Sequence, residues 1–160
     1  MTEVEKMDSS LRTGITFGLT SAIITTLGLM VGLHSGTHSK NVVLAGILTI
    51  AIADAFSDAL GIHISKEAEN NHTTQHIWAA TISTFLTKFL FAMTFVVPVL
   101  LFSLSTAIII SLIWGLSILS ILSYVIAKSQ NDPIWKIIGE HLMIAIVVIG
   151  ITHWVGDWIG

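Results

Sequence analysis

Residues 42–65 read VVLAGILTIAIADAFSDALGIHIS. This stretch is too long and too apolar for a helix of a soluble domain, and a transmembrane helix needs roughly 20 such residues. It also carries two carboxylates, Asp54 and Asp58. They lie four residues apart and so share one helix face. Ser57, Gly61 and Ser65 extend that face into a polar and small seam. The stretch therefore predicts a membrane span with a chemical purpose, because charge within a bilayer costs several kcal/mol and marks functional positions.

The whole chain agrees. Of its 160 residues 53% are apolar and only 11% charged, and the mean hydropathy is +0.85. A soluble domain carries about 25% charge. Five apolar segments are expected: residues 13–33, 42–65, 77–102, 104–127 and 133–159, with 1–12 as a cytoplasmic tail. Five spans consume about 100 residues, which leaves no room for a soluble domain. The expected class is all-α integral membrane, with the lipid bilayer as its first partner. The acidic N-terminus lacks the basic region of a secretory signal, so the first apolar run is read as a retained span.

The breaks between spans are polar. Residues 34–41 contain Gly36, residues 66–76 form the most polar linker, and Lys128–Pro133 separates the last two spans. Between spans 3 and 4 only Ser103 and Ser105 mark a turn after Pro98. A tight hairpin is expected there, with one over-long bent helix as the alternative.

Lys6, Arg12, Lys66, Lys128 and Lys136 fall on the N-terminal side and only Lys40 on the other. That asymmetry places the N-terminus in the cytoplasm. Trp78 and Trp135 near one face, and Trp154 and Trp158 near the other, suit aromatic belts or fill space between helices. Cys is absent, which excludes disulfides and thiolate chemistry. A net charge of −3 offers no basic patch for nucleic acid.

Asp54 and Asp58 have two readings. They ligate a divalent cation or carry protons, or they are held as a structural pair by a lysine. Lys88 is the named partner: it lies about 11 residues into span 3, and Asp54 about 12 from the matching end of span 2. Both readings can hold, since a neighbouring ammonium sets the charge of an ion site.

Span 1 places Gly14, Gly18, Ser21, Thr25, Gly28 and Gly32 on one face. Small stripes let helices approach closely, either within one protomer or around a symmetry axis, with Ser21 and Thr25 lining a path. In the linker, Glu67, Glu69, His72 and His76 bring together residue types that suit Fe, Mn or Zn. His153 and Asp157 share a face of span 5 and pair or bind an ion. An intramembrane aspartyl protease needs its carboxylates together, and Asp157 lies at the opposite end from Asp54 and Asp58. No enzyme is expected.

The run Ala53-Asp54-Ala55-Phe56-Ser57-Asp58-Ala59-Leu60-Gly61-Ile62-His63-Ile64-Ser65 resembles the vacuolar iron transporter signature A-D-A-L-S-M-A-x-G-E-Y-x-S. Phe17-Gly18 with Ser21, Thr25 and Gly28 is similar to that family's F-G-x-x-D-G-x-x-T-x-x-G opening. The resemblance implies a five-helix homodimer exporting Fe²⁺ or Mn²⁺ from the cytoplasm in exchange for protons, along a path at the dimer interface. The metal is substrate, with no permanently bound cofactor. The membrane is the plasma membrane in a prokaryote and a vacuole-like one in a eukaryote.

Carried over by position, the family's span 1 Asp is Ser21 here and its span 2 Met is Asp58. Asp54, Ser57, Gly61 and Ser65 match, and Ile62-His63 replace Glu-Tyr. A carboxylate in place of a thioether shifts the site toward harder cations. The expected metal-contacting residues are Asp54, Asp58, His63, Glu67, Glu69, His72 and His76, with Lys88 tuning charge. Ser21, Thr25, Ser57, Gly61 and Ser65 line the path, and Gly14, Gly18, Gly28 and Gly32 pack the dimer. The alternative is a descendant that no longer transports and serves a structural or regulatory role.

Overall fold

A computed structural model describes residues 3–69 and 72–160. The tip of the polar linker, at 70–71, and residues 1–2 lie outside the described residues. The elements are α1 (Glu3–Thr37), α2 (Lys40–Ala68), α3 (Thr74–Thr94), α4 (Val96–Leu101), α5 (Leu104–Gln130) and α6 (Ile134–Ile159). Among the described residues there is no strand. Five spans are long and apolar enough to cross a membrane, with α3 and α4 together forming the third.

The division of span 3 follows from Pro98. Proline has no N–H, so the carbonyl of Thr94 loses its i+4 donor. The helix stops at Thr94, Phe95 N–H closes back onto the Ala92 carbonyl at 3.1 Å, and α4 resumes. Only Phe102 and Ser103 separate α4 from α5, and α4 packs on α5: the expected tight hairpin.

The α1–α2 and α5–α6 turns use residues that tolerate a left-handed backbone. His38 (φ 51°) ends α1, and Ser39 caps α2 by accepting from Val42 N–H. Asn131 (φ 56°) ends α5 just before Pro133. Gly36, expected in the first turn, is instead helical and lies against Gly156 of α6.

Helix α1 is the centre of the bundle, in contact with α2, α3, α5 and α6. Its Ile23, Leu27, Met30 and Val31 join Phe95, Val99, Ala107 and Leu119 in one apolar core. Helix α6 is peripheral and buries only Ala145 and Gly156. The four belt tryptophans are all more than half exposed, and Trp78 also contacts His63 of α2.

Residues 3–12, within the expected cytoplasmic tail, are helical and form the first turns of α1. They bury Ser10, and Glu3 reaches His76 at the start of α3 (3.4 Å). The span 1 glycines are consumed inside the protomer. A Cβ at Gly14 would strike Ser83 and Ala80 of α3, and one at Gly18 would lie 2.7 Å from the Thr84 carbonyl. Gly28 and Gly32 abut Val148 and Thr152 of α6. All four serve intrachain helix contacts, and Gly28 and Gly32 also line an open groove between α1 and α6.

Candidate functional site: an ion triad halfway along the helices

Helix α3 runs between α1 and α2, and it buries every fourth residue: His76, Ala80, Thr84, Lys88 and Ala92. Four of these are compatible with a tight seam. The fifth, Lys88, is 1% exposed, and a lysine so deeply buried requires anionic partners. Helix α2 supplies them. Ala51, Ala55 and Ala59 form its buried line, and Asp54 and Asp58 sit on one flank of that line.

Lys88 Nζ donates to Asp58 Oδ2 and, at 2.7 Å, to Ser21 Oγ of α1. Asp54 Oδ2 lies 2.6 Å from the same nitrogen, an ion-pair contact. That contact lacks hydrogen-bond alignment, so Asp54 Oδ2 is a buried oxygen without a donor. The ammonium thus gives aligned hydrogens to Asp58 and Ser21, and only Coulombic attraction to Asp54. Three helices meet at this cluster, whose formal charge is −1 with both carboxylates ionised.

The triad opens on a groove of about 690 Å³ between α1 and α2, lined by Thr25, Thr49, Asp54 and Ser57 among apolar neighbours. The groove runs from Asp54 toward Val42 and Leu33, at the α1–α2 turn. Lys88 forms the back of the site and Asp54 its open edge. Ser57, Gly61 and Ser65 continue down the exposed face of α2, and nothing lies within 4 Å of a Cβ built on Gly61.

The expected metal-contacting residues do not assemble. Among the described residues no group of three or more His, Asp or Glu side chains could hold a metal ion. His63 lies nine residues from Asp54, half a turn around α2 at 100° per residue. It flanks the alanine line on the other side, where Nδ1 contacts Thr81 Oγ1 at 3.0 Å. The linker residues divide as well. Glu69 bonds His72 (2.7 Å) and Lys66 (3.3 Å), His76 turns to Glu3, and Glu67 is exposed. Bonds from His72 and Lys66 hold the Glu69 carboxyl below its ordinary value of 4.5. Two lysines, Lys66 and Lys88, thus occupy carboxylates that metal chelation would need free.

The Asp54–Lys88 pairing was legible from matched depth. Ser21 as a third partner was not, although its position on the α1 small-residue face was. The contacts Glu3–His76 and His63–Thr81 gave no sequence signal, since each joins segments distant along the chain or different faces of packed helices.

At the other end, Ser35 Oγ bonds His153 Nδ1, and His153 Nε2 lies 3.5 Å from Asp157. This completes the expected His–Asp pair and fastens α6 to α1. No protein-family model and no curated protein sequence matches the chain.

Proposed function

We propose that the protein is a multi-pass membrane transporter that moves divalent transition-metal ions of the Fe²⁺ or Mn²⁺ type out of the cytoplasm. The observation that carries this reading is a mid-helix pair of carboxylates, one of which, Asp54, edges an open and largely apolar groove, with their counter-ion buried behind them. A purely structural ion pair has no need of an open side.

The cluster's formal charge is −1, and a dication on Asp54 and Asp58 raises it to +1. Charge inside a membrane is costly, so the coupling in this reading is exchange for protons, resting on the paired carboxylates. Asp54 is the natural first contact, being at the groove's edge while Asp58 is not among the groove's lining residues. Asp58 follows as Lys88 withdraws toward Ser21.

The proposed homodimer packs along α2 rather than α1. Ala45, Thr49, Ala53, Ser57, Gly61 and Ser65 recur every fourth residue and are all exposed. Such small-residue stripes are membrane helix contact surfaces. A second copy there would roof the groove and line the path with both protomers' aspartates. This keeps the resemblance to vacuolar iron transporters, whose path lies between protomers.

The test is uptake into proteoliposomes holding a metal-sensitive dye, with Fe²⁺, Mn²⁺, Zn²⁺ and Co²⁺ offered in turn, with and without a pH gradient. Saturable uptake abolished by Asp58→Asn supports transport. Zero flux from folded protein for all four metals sinks it. The second reading, a non-transporting scaffold, is favoured by one observation: Lys88 already engages Ser21 and both aspartates. It predicts that Asp58→Asn lowers stability and that there was no flux to lose.

A further inference from the structure

The second groove worth attention lies on the far side of the α2–α3 seam from the triad. Its volume is about 430 Å³, within the size range of small-molecule sites. Phe56, Leu60, Phe85 and Leu86 form its deep walls, and His63 and Trp78 its mouth. His63 lies five residues before Ala68, and Trp78 four residues after Thr74. At 1.5 Å per residue both are about 6–8 Å from the helix ends, the level of a membrane's aromatic belt. Phe56 and Leu86 lie 12 residues from those ends, about 18 Å deep. The groove is therefore polar only at interfacial depth and apolar below.

Its one imidazole has an assigned tautomer. Thr81 Oγ1 donates its only hydrogen to the Ile77 carbonyl at 2.8 Å. With that hydrogen on the carbonyl, Oγ1 accepts from His63 Nδ1–H, and we assign the neutral ring this tautomer from the network. Nε2 is then a bare acceptor. It makes no hydrogen bond and is not buried. Trp78 stands edge-on to the ring, with centroids 4.9 Å apart, and holds its orientation. No charged residue lines the groove, so a phosphate or ammonium headgroup would find no ionic partner in it.

We infer that this groove binds a neutral membrane lipid bearing a free hydroxyl, which donates to His63 Nε2 while the chain lies between Phe56, Leu60 and Leu86. One acceptor, no charge and a deep apolar wall select an alcohol over a phospholipid headgroup. The inference is independent of metal transport, because the triad flanks the opposite side of the seam.

The experiment is native mass spectrometry of the full chain released from micelles, titrated with dioleoylglycerol or with the same lipid acetylated on its hydroxyl. The second probe lacks the donor and carries an acetyl group in its place, so the His63→Phe comparison separates the lost hydrogen bond from the added bulk. The wild type should bind dioleoylglycerol roughly threefold to tenfold more tightly, the value of one neutral hydrogen bond. His63→Phe keeps the ring contact with Trp78 and should bring the two probes to parity. Leu86→Trp fills the groove and should weaken both. Equal binding of the two lipids by the wild type overturns the inference, as does a preference that survives in His63→Phe. If His63→Phe fails to fold, the wild-type comparison together with Leu86→Trp still decides.

Discussion

Asp54 lies 14 residues before Ala68 at the end of α2, and Lys88 lies 14 residues after Thr74 at the start of α3; the two meet at 2.6 Å. Equal distances along antiparallel neighbours put equal depths side by side. The short linker enforces that register, and a one-turn slip of about 5.4 Å would separate them.

Lys88→Met tests what the ammonium does. It leaves Asp54 and Asp58 without a counter-ion, and Ser21 without its donor. Removing one partner of a buried pair costs about 3–5 kcal/mol. Thermal unfolding in detergent should show that loss, and adding Asp54→Asn with Asp58→Asn should recover most of it. A Lys88→Met protein as stable as wild type would remove the triad from any structural account.

The two aspartates are expected to differ in what they contribute to stability. Asp58 receives the aligned hydrogen bond and Asp54 does not. Asp58→Asn should therefore destabilise the protein more than Asp54→Asn. Under the transport reading both should abolish metal uptake. Parallel unfolding and flux measurements on the two variants give the answer.

The intrachain seams make a sharp contrast among glycines. A Cβ at Gly18 would approach the Thr84 carbonyl at 2.7 Å, whereas nothing lies within 4 Å of Gly139 or Gly150. Gly18→Val should destabilise by more than about 2 kcal/mol through overpacking, and Gly150→Val should stay within about 0.5 kcal/mol. Helical circular dichroism against temperature reads both.

If α2 is the dimer surface, Gly61→Trp should yield a folded monomer. The site is open in the protomer, so the indole has room there, but it would hold a second helix away. Light scattering of the purified protein distinguishes the states. A Gly61→Trp dimer identical to wild type would move the interface elsewhere.

Glu69 carries a pH dependence with a definite sign. Its folded carboxyl is held below 4.5 by bonds from His72 and Lys66. The stabilisation it lends the linker is fully present above 4.5 and fades as pH falls through the lowered value. A carbon NMR titration of Glu69 should read a midpoint under 4.5, rising toward it in His72→Gln. An unmoved midpoint would mean that the His72 bond does not form in solution.

Much of this was open to reading along the chain. Apolar runs of more than 20 residues decide the number of spans, because lipid tolerates no unsatisfied backbone and helices satisfy it locally. The four-residue spacing of Asp54 and Asp58 decides that they share a face. Depth matching even predicted Lys88 as their partner. What no spacing decides is which neighbour a face meets. The glycines of α1 were compatible with packing within one protomer or around a symmetry axis, and only the packed bundle shows which helices they meet, α3 and α6. His63 belongs to the same run as Asp54, yet helical rotation carried it to the other side of the α2–α3 seam. Periodicity is a property of one helix, whereas the site is formed by three. The sequence by itself determined the spans and their charged face; the tertiary structure alone decided that Lys88 is held among Ser21, Asp54 and Asp58, because contact between helices depends on how they are arranged around α1.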